Sequence, residues 1–323
     1  MISGRTGETA IGSLPLPDER RDSVSMRDNT GPLEVSIVVV SYNTEEALRL
    51  CIRSIYEHPP PGAFEVIAVD NASTDGSPGM VESSFPEVRL LRLNSNRGYA
   101  YACNYGAQSS TGRMLLFLNS DIEVTPGALR LLYDCVEKRE GSIICSGRLE
   151  SYDGSVQPSC RRFPTHFSIP FGRGSVLSKL PVLKGLQDRY IMEPPEGDSE
   201  VDSVAGACMM IKKGVFEELA GFDERFFMYV EDLDLCYRLK GVGGVVLFSS
   251  EAVFKHRWGA SSVAGKLRLR LEHHRSIYRY FRKHYPGRRL SNLLLAIMLL
   301  AQLGSFFLLE FLNLRVTKRE TSS

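Results

Sequence analysis

The sequence of 323 residues contains no CxxC pair, although seven cysteines are scattered along it (Cys51, Cys103, Cys135, Cys145, Cys160, Cys208 and Cys236). An odd, dispersed set argues against a disulfide framework or a structural zinc site and fits a reducing compartment. There is no excess of either charge, with 39 Lys and Arg against 38 Asp and Glu. The chain is therefore no polycation seeking nucleic acid. No GxGxxG follows the first apolar run and no GxxxxGK[ST] occurs anywhere, which makes NAD and P-loop ATP chemistry weak readings; Gly241, Gly243 and Gly244 lie far downstream without that context. Met1–Gly31 lacks an apolar stretch, so it reads as a loose polar tail without a signal peptide, and the folded part is expected to face the cytoplasm. With 43% apolar and 24% charged residues, wholesale disorder and fibrous repeats are excluded.

Order begins at Val35. Residues 35–40 (VSIVVV) form a continuous β-branched run, the pattern of a strand buried on both faces of a parallel sheet. It ends at Ser41-Tyr42-Asn43, where Asn43 and Glu46 have the spacing of a capping box and Leu48, Cys51, Ile52 and Ile55 recur at helical spacing. Further strands are predicted over 65–69, 88–93 and 114–118, with Ser77-Pro78 starting one intervening helix and 98–108 forming another. This alternation predicts an open α/β sheet. Each strand ends in a polar cluster: Ser41 and Asn43; Asp70 and Asn71; Asn94; Asn119-Ser120-Asp121. That carboxyl edge is where such sheets bind ligands, a nucleotide being the expected class.

The C-terminal part is different in kind. Residues 265–289 hold nine Lys or Arg against Glu272 alone, and 293–309 (LLLAIMLLAQLGSFFLL) are nearly all apolar. Seventeen residues sit at the lower limit for a bilayer span. A buried C-terminal helix is the plain alternative, but a basic, aromatic helix leading into an apolar one fits an anionic membrane surface better. Basic residues flank both ends, so spanning and lying flat stay open.

Three constellations could carry chemistry. Asn119-Ser120-Asp121 could place a carboxylate toward a hard cation, or could be an ordinary turn. Glu231-Asp232-Leu233-Asp234, followed by Arg238 and Lys240, could be catalytic or simply a helix charged as its dipole prefers. Lys255-His256-Arg257-Trp258, with Ser261 and Ser262, places an imidazole beside hydroxyls suited to phosphate.

Taken together, VSIVVVSYN at 35–43, VDNASTDGS at 69–77, NSNRGYAYACNYGA at 94–107, LNSDIEV at 118–124, VAGACMMIKKGVFEELAGFDERFFMYVEDLDLCYRLK at 204–240 and the following KHRWGASS resemble the family 2 glycosyltransferases. Within that family the order of motifs is similar to bacterial rhamnosyltransferases that build polyprenyl-linked glycans. The resemblance spans about residues 35–265. It implies a GT-A fold, a mixed α/β sheet flanked by helices, and a nucleotide-sugar transferase that inverts the anomeric centre. The expected organisation is a tail over 1–32, a GT-A domain over 33–265 (donor half 33–125, acceptor half 126–265) and membrane-associating helices over 266–323.

The resemblance further implies Asp232 as the base, with Glu231 beside it to raise its pKa or position the acceptor. Asp121 and His256 would hold Mg²⁺ or Mn²⁺; the usual Asp-x-Asp begins here with Asn119, so Asp121 is the metal-side carboxylate. The donor would meet Ser41, Asn43, Asp70, Asn71, Asn96, Gly98, Asn104, Asn119, Ser120 and Asp121, with Trp258, Ser261 and Ser262 folding over the diphosphate. Gly206, Ala207 and Cys208 are assigned to the acceptor side. The segment 141–202 reads as a long loop, with Arg161 and Arg162 in an acceptor-side lid meeting phosphates or else in a solvated insertion. The expected donor is dTDP-L-rhamnose, with a UDP- or GDP-hexose as the alternative, and the acceptor is a glycan or lipid-linked glycan. Nucleotidyl transfer and a non-catalytic membrane scaffold remain the other classes.

Overall fold

A computed structural model describes residues 32–166, 168–169, 191–257 and 266–320. The polar tail, Trp258, Ser261 and Ser262, and the central part of the expected lid fall outside the described residues.

Strands β1 (Val35–Ser41), β2 (Phe64–Asp70), β3 (Arg89–Arg92) and β4 (Met114–Asn119) pair in parallel in the order β3-β2-β1-β4. Helices α1 (Glu45–Glu57), α2 (Ser77–Ser84) and α3 (Tyr99–Ser109) connect them, as the alternation predicts. The β-branched run of β1 is buried throughout because both of its faces are covered. Val35, Ile37 and Val39 pack with Leu48, Ile52 and Ile55 of α1 in one core. Val38 and Val40 turn to the opposite core, with Ala100, Ala102 and Cys103 of α3. The period of two along β1 thus divides the molecule into two apolar layers.

Short β5 (Ile122–Val124) and helix α4 (Ala128–Glu137) lead into β6 (Ile143–Glu150). Here the expected loop over 141–202 is corrected. Ile143–Glu150 is a central strand, between β11 (Cys208–Lys212) and β12 (Val245–His256). Its signal is broken by Ser146 and Gly147. Two-residue strands β7 (Cys160–Arg161), β8 (Ile191–Met192) and β10 (Ser203–Val204) form a separate three-stranded sheet, and β9 (Ser199–Glu200) pairs with β12. β11 runs antiparallel between β4 and β6, which makes the large sheet mixed. Helix α5 (Lys213–Glu218) follows β11, and α6 (Glu231–Gly241) covers the second apolar layer through Leu235, Cys236 and Leu239.

Two helix starts also differ from expectation. The cap of α1 is Thr44, and the Asn43–Glu46 box does not form. Asn43 has φ 54°, and its Oδ1 instead accepts from Thr74 N at 2.7 Å, tying the ends of β1 and β2 together. At α2 the cap moves one residue back to Gly76, leaving Pro78 inside the first turn.

Helices α7 (Lys266–His284) and α8 (Arg289–Glu320) follow the sheet. Ile277, Tyr280 and Phe281 of α7 and Leu295 and Leu299 of α8 form a third core with Phe226, Val230 and Leu233. This core lies directly beneath the start of α6.

Candidate active site

Above the carboxyl ends of β1 and β4 is a cavity of about 270 Å³. Asn71, Asn96, Gly98, Asn119, Ser120 and Asp121 line it, and so do Arg161, Gly206, Ala207, Glu231, Asp232 and His256. Aspartates separated by more than a hundred residues therefore meet in one space.

Strand pairing places the first group. Antiparallel pairing of β5 with β12 sets His256 opposite Ile122, so the imidazole reaches the preceding Asp121, with Nε2 3.5 Å from Oδ1. Gln157 fixes the ring. Its Nε2 donates to the His256 carbonyl at 2.9 Å and to Ser151 Oγ at 2.9 Å, so its Oε1 must accept from His256 Nδ1, 2.6 Å away. The proton then resides on Nδ1 in the neutral ring, and Nε2 presents its lone pair toward a carboxylate. That juxtaposition is favourable with a cation between the two atoms, and 3.5 Å spans two ligands each ~2.1 Å from one ion. The donor set fits a divalent cation, although the described residues contain no group of three His, Cys, Asp or Glu that could hold a metal alone.

The donor-side loops are held by amides. Asn71 Nδ2 donates to Asn96 Oδ1 at 3.1 Å and to the Gly98 carbonyl at 3.3 Å, while its Oδ1 accepts from Arg97 N at 2.9 Å. Gly98 has φ 90°, and a Cβ there would lie 2.2 Å from the Phe227 carbonyl oxygen, so only glycine fits. Asp70 is buried; its Oδ2 accepts from Ser73 N at 3.2 Å, whereas Oδ1 has no hydrogen-bond partner among the described residues. Ser41 stands behind the cavity wall, linked through Thr44 Oγ1 (3.0 Å) to Ser120 Oγ (2.9 Å).

The start of α6 supplies the second pair of carboxylates. Tyr229 and Val230 both have positive φ, 66° and 74°. Left-handed conformations cost on the order of 1–3 kcal/mol each for such residues. Burial of Val230 and edge contact of the Tyr229 ring with His273 hold them there. This kink delivers Glu231 and Asp232 to the cavity. Asp232 Oδ2 accepts from Gly206 N at 2.8 Å and lies 3.5 Å from Arg161 Nη1; Oδ1 accepts from Leu233 N at 2.8 Å. The Gly206 carbonyl in turn accepts from the Tyr99 hydroxyl at 2.9 Å. Glu231 is buried, with Oε2 lacking a hydrogen-bond partner among the described residues. Burial first, and the neighbouring Asp232 second, push its carboxyl up to about 8.

Some expected residues lie elsewhere. Asn104 does not face this cavity: its Nδ2 donates to the Phe222 carbonyl at 2.8 Å and its Oδ1 accepts from Phe222 N at 2.9 Å, beside a separate cavity near α5. Cys208 is buried in β11 opposite Leu118, and Arg162 is exposed outside the lining. Gln157, Tyr99 and Tyr229 line the cavity without having been singled out. Tyr229 sits within the FFMYVED motif, whereas nothing local marks Gln157.

The profile of glycosyl transferase family 2 matches residues 36–220. The chain belongs to this family, its fold is GT-A, and it is a glycosyltransferase. It is 28% identical over 267 residues to an N-acetylglucosaminyl-diphospho-decaprenol L-rhamnosyltransferase of Mycobacterium tuberculosis, covering 78% of this chain and 85% of the relative. It is 30% identical over 272 residues to the O-antigen biosynthesis protein RfbC of Myxococcus xanthus, covering 80% of this chain but only 20% of that longer protein. Among solved structures, GalNAc-T7 with UDP, GalNAc and Mn²⁺ superposes with TM-score 0.55 at 18% identity, covering 77% of this chain and 48% of the other. The mannosyltransferase PcManGT of Pyrobaculum calidifontis with GDP-Man and Mn²⁺ gives 0.51 at 18% identity, covering 86% and 76%.

Proposed function

We propose that this chain is an inverting, divalent-metal-dependent transferase that moves L-rhamnose from dTDP-L-rhamnose to a hydroxyl of a polyprenyl-diphosphate-linked glycan. The reading places it in cell-envelope polysaccharide synthesis at the cytoplasmic face of the membrane. It is carried by one observation: Asp121 and His256 line the same cavity as Glu231 and Asp232. The sugar and the lipid-linked acceptor follow the printed name of the mycobacterial relative. A UDP- or GDP-hexose is the alternative donor, in keeping with the nucleotides bound in the two solved structures.

In this scheme Asp232 is the base. Two backbone N–H groups and Arg161 fix its plane; Oδ2 takes both the Gly206 N–H and Arg161, whereas Oδ1 accepts from Leu233 N and keeps a second lone pair able to take a proton. The acceptor hydroxyl gives its proton to Asp232 as its oxygen bonds to the anomeric carbon. The bond from that carbon to the nucleoside diphosphate breaks on the opposite face, and the electron pair leaves with the diphosphate. Asp121 and His256 would hold Mg²⁺ or Mn²⁺, which supplies Lewis-acid stabilisation of the leaving group's charge. Asp70 Oδ1, buried and without a hydrogen-bond partner among the described residues, is an acceptor for a nucleoside donor group. Arg161, Gly206 and Ala207 face the acceptor.

Incubation with a panel of nucleotide-sugars, Mn²⁺ and a short prenyl-diphosphate glycan, followed by mass spectrometry of the product, tests the reaction. Asp232→Asn is expected to bind donor as the wild type does and to lose on the order of 10²-fold or more in turnover. Retention of more than about a tenth of the wild-type rate, a barrier change below ~1.4 kcal/mol, would remove Asp232 as the base. Asp121→Ala is expected to abolish the metal dependence of donor binding in calorimetry; unchanged binding with Mn²⁺ would dismiss its metal role.

A further inference from the structure

Helix α8 has its apolar side turned outward. Leu290, Leu293, Leu294, Ile297, Leu300 and Phe307 are exposed, with Leu290 at 71% and Leu300 at 68%. Their spacing of three, one, three, three and seven residues places them along one side of the helix. No charged residue interrupts the sequence between Arg289 and Glu310. Such a surface needs an occupant.

The inner side of α8 is already taken. Leu295 and Leu299 are buried in the core shared with α7. Asn292 donates from Nδ2 to the Tyr285 carbonyl at 3.0 Å, and its Oδ1 lies 2.8 Å from His166 Nε2. Farther along, the Arg270 guanidinium of α7 sits over the Phe306 ring at 4.1 Å. From 292 to 306 is about 21 Å of helix at 1.5 Å per residue. Over that length α7 accompanies α8, and α7 exposes Arg268, Arg275, Arg279 and Arg282. Crossing the bilayer would draw these arginines into hydrocarbon, which is strongly unfavourable.

The charge identifies the occupant. Arg288 and Arg289 are exposed where the stripe begins, in a region with nine basic residues and a single acid. An aliphatic stripe bordered by arginines matches an acyl boundary beneath anionic headgroups. A protein interface would instead concentrate aromatic anchors.

We infer that the outer stripe of α8 lies in the plane of an anionic bilayer, sunk to the headgroup–acyl boundary, and does not cross it. This rests on the membrane attachment proposed above and adds its geometry.

The test uses the full chain with phosphatidylcholine vesicles prepared with and without phosphatidylglycerol. Binding to the anionic vesicles is expected to be about tenfold tighter or more. Ile297→Trp and Phe307→Trp are then compared by quenching with lipids brominated at different depths, after subtraction of the wild-type Trp258 signal. These positions are ten residues apart, about 15 Å along the axis. An in-plane helix gives both the same shallow depth. Depths differing by most of 15 Å would overturn the in-plane geometry while keeping membrane attachment. Binding to neither vesicle would overturn both, and the product assay would still judge sugar transfer independently. Equal affinity for neutral and anionic vesicles would overturn the electrostatic part. The triple variant Leu293→Gln, Ile297→Gln, Leu300→Gln is expected to lose vesicle binding while nucleotide still raises its Tm; unaltered binding would show that the stripe is not the contact.

Discussion

Glu231 and Asp232 are adjacent in the chain and both buried, so charging both is unfavourable. With its carboxyl pushed to about 8, Glu231 is protonated at neutral pH. The folded value lies above the ordinary 4.5, so between these limits the native chain holds a proton that the unfolded chain has released. The stabilisation associated with that proton is full below about pH 4.5, declines as pH rises to about 8, and is absent above it. Glu231→Gln should remove this slope, which can amount to a few kcal/mol. Chemical denaturation at about pH 5 and pH 8.5 measures it, and identical slopes in wild type and variant would refute the buried neutral acid. At this scale the sequence is an uneven guide. Asp121, His256 and Asp232 stand in motifs specific enough to be read together. Asn104 stands in one too, yet its amide pins the backbone at Phe222, and an amide that binds backbone is indistinguishable in sequence from one that binds a ligand.

Among the elements, α6 is the joint. Asp234, two residues beyond Asp232, is fully buried and receives Lys283 Nζ at 2.6 Å and His284 Nε2 at 2.7 Å from α7, and Arg238 Nε at 2.8 Å from its own helix. Burial alone would raise its carboxyl, but His284, Arg238 and Lys283 outweigh that and hold it below the ordinary carboxylate range. Its stabilisation is therefore present above about pH 4 and lost as pH falls through the depressed value. Asp234→Ala removes the buried carboxylate that Arg238, Lys283 and His284 share, although Lys283 keeps Asp223 at 2.8 Å, and should cost about 3–5 kcal/mol. Arg53→Ala, which breaks the exposed pair with Glu57, should cost less than about 1 kcal/mol. Equal losses in denaturant titrations would deny the joint its role. In the sequence Asp234 is one more acid at a helix start, because its partners on α7, Lys283 and His284, lie about fifty residues downstream. Strands β1, β2 and β4 were legible because unbroken apolar runs have few other uses in a soluble domain. β6 was obscured where Gly147 permits a close approach: a Cβ there would meet the Ala252 carbonyl oxygen at 2.2 Å.

For the molecule as a whole, composition marks a globular chain and the strand–helix alternation its α/β class, while the run of basic residues over 265–289 falls largely on α7. Which side of α8 faces outward required the packing of α7. The two apolar layers also enclose every sulfhydryl: all seven cysteines are free and buried. Burial pushes the Cys160 thiol to about 11 and the Cys236 thiol to about 12, which further suppresses thiolate. Cys135 alone among them is held below its ordinary value, chiefly by the Cys145 sulfhydryl, and it is 6% exposed. An aromatic disulfide reagent should accordingly find almost nothing to titrate in the intact chain and seven groups once denaturant is added. Several equivalents reacting at once without denaturant would contradict this enclosure. The colour released over time then becomes a built-in gauge of opening, with Cys135 as its first graduation and the sheet interior as its last.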